Sequence, residues 1–217
     1  MKAKKAERPH IAGLYAVTPD IADTDQLLAL VKACLVGGAS IIQYRNKTAS
    51  HGLRIRQSRA LLDLCREHHV PLIINDHIEL CLAIAADGVH LGGNDGSLAE
   101  ARQRLGNDKV LGASCYNRFE LALEAKAAGA DYLAFGSCFD SDTKPAAVRA
   151  PLEVLGRARK EIGLPLVAIG GITLDNAAQA INAGADAIAV ISSLFDAAAP
   201  RAQAEAFAQL FRPARKH

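Results

Sequence analysis

Residues 128–135 read AGADYLAF and residues 183–190 read AGADAIAV. In both, a small residue and a glycine, which suit the end of a helix, lead through an aspartate into a short apolar run. Each phrase therefore marks a helix-to-strand junction. Two relatives of the phrase, GGAS and AADG, occur earlier; the four begin at Gly37, Ala85, Ala128 and Ala183, spaced 48, 43 and 55 residues apart. Between them lie runs introduced by a proline or a charge, in HVPLIIND, DKVLGAS and LPLVAIGG. Together with IAGLYAV at the start, eight apolar runs are predicted as strands: 11–17, 40–45, 71–75, 87–91, 109–114, 131–136, 165–171 and 186–191. Amphipathic segments rich in Ala and Leu separate them. Eight strand–helix units with a two-strand period predict an α/β chain closed into one (β/α)8 TIM barrel, not an open doubly wound sheet. The barrel is expected over residues 11–212, with no second domain.

Composition narrows the function. The 217 residues are half hydrophobic, with 25 basic and 23 acidic side chains and a net charge of +2. No cationic surplus is present to neutralise a nucleic-acid backbone, so nucleic acid is not an expected partner. Cys34, Cys65, Cys81, Cys115 and Cys138 stand singly, as reduced thiols of a cytoplasmic protein do, without the spacing of a disulfide framework or zinc site. The basic leader, residues 1–10, leads into no apolar h-region and reads as a disordered tail, not a secretory signal. No apolar run approaches the roughly 20 residues of a membrane span. The oligomeric state stays open, a homo-oligomer included.

Barrel sites form at the C-terminal ends of the strands, and here those ends are polar. The second strand runs out in IIQYRNK (41–47), where Gln43, Arg45 and Lys47 alternate and so share one face. Thr18 and Asp20 follow the first strand, Asn75 and Asp76 the third, Asp95 the fourth and Ser114 the fifth; Ser141, Thr143 and Lys144 follow the sixth. GGIT (170–173) and ISS (191–193) end the last two. Each group has two readings. Gly170 and Gly171 beside Ser192 or Ser193 suit a phosphate, or a tight turn and a helix cap. Asp76 and Asp95 suit Mg²⁺ shared with a substrate phosphate, or N-caps. The cations suit a diphosphate, or a solvated rim.

In order and spacing, YAVTPD, Q-x-R-x-K, LIIND, DGVHLG with Asp95, Ser114, S-D-T-K, VAIGGI and AVIS resemble the thiamine-phosphate synthase family, from about Leu14 to Ser193. That family joins a pyrimidine diphosphate to a thiazole phosphate on a (β/α)8 barrel, by a largely dissociative substitution that needs no protein nucleophile. The resemblance implies that Gln43, Arg45, Lys47, Asn75, Ser114 and Lys144 hold the aminopyrimidine and its diphosphate. Of these, Arg45, Lys47, Ser114 and Lys144 would carry the catalytic charge stabilisation. Asp76 and Asp95 would ligate Mg²⁺, while Ser141, Asp142, Thr143, Gly171, Ile191 and Ser192 would bind the thiazole phosphate and its loop. The chain departs from the family pattern at Gly93, where Gln is usual, at Tyr116, where S-x-H is usual, and at Asp140, where Pro is usual. Two other readings share the phosphate site: a thiazole tautomerase relative, and a non-catalytic phosphate-ligand barrel.

Overall fold

The computed structural model describes residues 9–93, 95–140 and 149–212. Eight parallel strands close into a barrel in sequence order: β1 (Gly13–Val17), β2 (Ile41–Tyr44), β3 (Leu72–Asn75), β4 (Gly88–Leu91), β5 (Val110–Tyr116), β6 (Tyr132–Phe135), β7 (Leu166–Ile169) and β8 (Ala187–Val190). Every strand lies within two residues of its expected bounds. The helices are α1 (Thr24–Val36), α2 (His51–Glu67), α3 (Ile78–Ile84), α4 (Leu98–Leu105), α5 (Phe119–Ala127), α6 (Leu152–Glu161), α7 (Leu174–Asn182), α8 (Ser192–Phe195) and α9 (Pro200–Gln209). The tail read over 1–10 lies almost wholly outside the described residues.

The repeat that decided the fold does more than end helices. Asp87, Asp131 and Asp186 each accept a hydrogen bond from an N–H at the start of the preceding strand, at Leu72 (2.8 Å), Leu111 (2.8 Å) and Leu166 (2.9 Å). Each aspartate then returns its own N–H to a carbonyl of that strand. Ser40 takes the equivalent place beside β1, its hydroxyl donating to the Ala12 and Leu14 carbonyls. A buried strand end with no partner would cost about 1–3 kcal/mol. Four clamps, one on every even-numbered strand, therefore pin the N-terminal end of the barrel.

Alternation along the strands makes two cores. Leu14, Ala16, Ile42, Tyr44, Leu133, Phe135, Ile188 and Val190 face the helices. Tyr15, Val17, Ile41, Ile73, Tyr132, Ala134, Ala187 and Ala189 fill the lumen. The alanines of β6 and β8 leave room for the two tyrosines, which are among the largest fully buried side chains. All five cysteines are buried and unpaired.

Candidate active site

β2 ends at Tyr44, and the rest of IIQYRNK continues beyond the strand. Gln43 is buried in the lumen and donates through Nε2 to the Tyr15 hydroxyl at 2.8 Å. Tyr44 and Asn46, of opposite parity, both bond the Gln57 carbonyl oxygen on α2, at 2.9 and 3.1 Å. Arg45 turns to the mouth, where its Nη1 meets Asp20 Oδ1 at 3.1 Å; the same oxygen accepts the Lys47 N–H at 2.8 Å. Thr18, fully buried, both donates to the Arg45 carbonyl and accepts its N–H. The TPD turn after β1 thus holds the basic end of β2 in one geometry. Asp20 was only an unassigned polar residue in the sequence, and its partner lies 25 residues away.

Asp76 and Asp95, from the ends of adjacent strands, lie close enough for their carboxyl groups to interact. Burial, then the neighbouring Asp95 carboxyl, push the Asp76 carboxyl from 3.8 up to about 6, with Lys47 opposing the rise. Neither aspartate is a helix cap. α3 has no side-chain cap at His77, and the α4 cap is Ser97, which accepts from the Glu100 N–H. Asp76 adopts the left-handed conformation, at φ 63°, which an L-residue adopts only when its surroundings hold it there. Asp95 Oδ2 is braced by the Gly92 N–H at 2.8 Å. The described residues hold no group of three or more His, Cys, Asp and Glu suited to a metal. Two hard oxygen donors fit Mg²⁺, which takes one or two carboxylates and completes its shell with phosphate and water. They do not fit zinc.

Beside them opens a cleft with about 240 Å³ of empty space, lined by Lys47, Arg54, Asn75, Asp76 and His77 among others. Arg54 comes from α2, where nothing in the sequence distinguishes it from a solvated helix arginine. Its Nη2 donates to the Ala49 carbonyl, while its Nε is buried without a partner.

Across the barrel, β7 and β8 pair, bringing GGIT and ISS together. Gly170 and Gly171 have φ of 96° and 62°. A Cβ on Gly170 would stand 2.3 Å from Ser137 Oγ, and one on Gly171 2.1 Å from the Asp140 carbonyl oxygen. Close packing against the loop after β6 thus already requires both glycines, whether or not a phosphate binds. Asn176 fixes the same turn by donating to the Gly171 carbonyl and accepting the Thr173 N–H. Ser193 Oγ is buried with no partner, as a hydroxyl awaiting an anion would be. Ile191 is the residue preceding α8, and Ser192 opens it. Ser141, Asp142, Thr143 and Lys144 lie outside the described residues.

Two departures from the family pattern meet each other. The Tyr116 hydroxyl accepts the Gly93 N–H at 3.0 Å, and its ring lies 3.2 Å from where a Gly93 Cβ would be. Tyr116 occupies space that a longer residue at 93 would need. Cys115 and Cys138 are not reactive groups, because burial pushes their thiols up to about 12 and about 11.

The comparisons with known proteins bear on the family and the fold. The thiamine monophosphate synthase family model matches residues 14–194. The thiamine-phosphate synthase of Methylobacillus flagellatus is 57% identical over 203 residues, covering 94% of this chain and 97% of that one. That of Aromatoleum aromaticum is 54% identical over 201 residues, covering 93% and 97%. Among solved structures, thiamine phosphate pyrophosphorylase from Pyrococcus furiosus superposes with a TM-score of 0.82 at 35% identity, covering 92% and 95%. The chain belongs to the thiamine monophosphate synthase family.

Proposed function

We propose that the barrel mouth joins an aminopyrimidine diphosphate to a thiazole phosphate with release of diphosphate, in thiamine biosynthesis, using Mg²⁺ held by Asp76 and Asp95. The chain is an enzyme of the synthase class, a transferase; the residue roles and the metal are the inference. The observation that carries them is the closeness of those two carboxylates beside Lys47. Such a pair favours either a shared proton or a cation between them.

When bound, Mg²⁺ neutralises charge on the departing diphosphate. The remaining work falls to the chain. Arg45, preset by Asp20, and Lys47 offer fixed positive charge where the leaving group gains negative charge, and Arg54 lies within the same cleft. Gln43, Asn75 and Ser114 orient the pyrimidine. The second phosphate sits between Gly171 and the Ile191–Ser192 turn, and Ser141, Asp142, Thr143 and Lys144 are assigned to the substrates on the family resemblance. A substitution in which diphosphate leaves before the thiazole nitrogen attacks asks for charge stabilisation and no protein nucleophile, and the thiols in reach are buried and protonated.

Small-molecule substrates are the expected partners. No helix among the described residues is long and apolar enough to cross a membrane, and the five buried thiols favour a cytoplasmic setting. The test is incubation with both substrates and Mg²⁺, with and without EDTA, and detection of thiamine phosphate. Product that vanishes with EDTA is expected. Binding of a thiazole phosphate, unaffected by EDTA and without product, would leave the tautomerase or binding-barrel readings.

A further inference from the structure

A hydrogen-bonded chain crosses the lumen and joins two residues assigned above to the pyrimidine. It runs from Gln43 Nε2 to Tyr15 Oη (2.8 Å), on to Tyr132 Oη (2.8 Å), to His90 Nδ1 (2.9 Å), and from His90 Nε2 to Ser114 Oγ (2.9 Å). Its members come from β2, β1, β6, β4 and β5. His90 and Tyr132 belong to strands separated by β5, and the two rings stack at 5.5 Å. They meet because Gly112, in register with both, has no side chain: a Cβ there would stand 2.1 Å from Tyr132 Cζ.

Counting protons fixes the direction of the chain. The Gln43 amide nitrogen donates to Tyr15, so Tyr15 must place its own proton elsewhere. Tyr15 is fully buried, and Tyr132 is its other partner. The Tyr132 proton in turn goes to His90 Nδ1. A neutral imidazole has one ring proton, which must then sit on Nε2 and point at Ser114. The Nδ1 that accepts the Tyr132 proton carries none of its own, so the ring is neutral. Ser114 accepts this bond and keeps its hydroxyl proton for the half-buried mouth. The opposite order would begin with a rotated amide and leave Ser114 with lone pairs only. A mixed order leaves a buried hydroxyl unpaired, at about 1–3 kcal/mol.

We propose that Tyr15, Tyr132 and His90 are positioning residues whose hydrogen-bond chain holds His90 as the Nε2–H tautomer and so presents Ser114 as a donor, to an accepting ring nitrogen of the aminopyrimidine. The proposal rests on the assignment of Ser114 to that substrate, and the experiment separates the two. In the wild-type protein labelled with ¹⁵N-histidine, two-bond ¹H–¹⁵N spectra read the tautomer directly, without reference to activity. Nε2–H at His90 is expected; Nδ1–H overturns the proposal. Tyr132→Phe keeps the ring but removes the donor to Nδ1. It is expected to raise KM for the pyrimidine diphosphate about fivefold or more, the scale of one neutral hydrogen bond, with KM for the thiazole phosphate unchanged. In a Ser114→Ala background the same substitution is expected to cost nothing further. Additive losses would mean a general packing defect and overturn the proposal. A Ser114→Ala enzyme with unaltered KM would overturn the Ser114 assignment, and the proposal with it. The Nε2–H signal would persist in that case, which distinguishes it from failure of the chain itself.

Discussion

Asp20 and Tyr116 show how single residues set the mouth. One carboxylate oxygen of Asp20 holds both the Arg45 guanidinium and the Lys47 N–H. Asp20→Ala should leave Arg45 charged but unplaced. We expect KM for the pyrimidine diphosphate to rise about tenfold, a loss near the ~1.4 kcal/mol of one charge-assisted bond, with only a small change in Tm because Asp20 itself is exposed. Steady-state kinetics and a melting curve check both. At Gly93, restoring the family's glutamine alone should crowd the Tyr116 ring and break its 3.0 Å bond. Gly93→Gln is expected to lower stability by about 1 kcal/mol, and Gly93→Gln with Tyr116→His to recover most of it. A double-mutant cycle with additive effects would show the two positions to be independent.

At the scale of elements, the ends of the strands divide the labour. The N-terminal ends carry the aspartate clamps; Asp131 accepts the Leu111 N–H and pairs with Arg102 at 2.5 Å, and Asp186 does the same with Leu166 and Arg159 at 2.6 Å. Asp131→Ala should destabilise by about 2–3 kcal/mol, since it removes the acceptor of a strand N–H and the counter-charge of a largely buried guanidinium. Denaturant unfolding measures this, and the activity of the folded fraction should survive. The C-terminal ends hold the carboxylate pair. Asp76 has a folded-state pKa of about 6, above its unfolded 3.8. Without metal, the folded protein therefore binds this proton more tightly, and the contribution of Asp76 to stability is fully present below the unfolded value and is lost as pH rises from about 4 through about 6. Asp76→Asn keeps a residue type that tolerates φ 63° and removes the repulsion. After allowance for the group's exposure, it should raise Tm at pH 7.5 by about 2–4 °C in the presence of EDTA, flatten the pH dependence, and abolish turnover. A melting series from pH 4 to 8 tests the sign.

For the whole molecule, closure of the barrel makes a site from pieces that are far apart in sequence. Inorganic diphosphate should raise Tm by several degrees only when Mg²⁺ is present, since ligand and metal bind the folded state together, and Asp95→Ala should remove that shift. Stabilisation by diphosphate alone would count against the metal role. The strand count, the barrel, the polar C-terminal ends and the set of cations and carboxylates were legible in the sequence, because periodicity and helix-ending glycines are local properties of the chain. The opposite faces of Gln43 and Tyr44 were legible for the same reason; β2 ends there, and Lys47 lines a cleft together with Tyr44 and Asn46. The anchoring of Arg45 by Asp20, the closeness of Asp76 and Asp95, the contact of Gly93 with Tyr116 and the lumen chain through Tyr15, Tyr132 and His90 were not legible. Tyr15, His90 and Tyr132 look like ordinary strand residues until register and closure bring them together over Gly112. By itself the sequence determined which strand ends are polar; only the tertiary structure decided which groups meet there, because contact between strands depends on register, shear and the space left by small residues, none of which is local to any one strand.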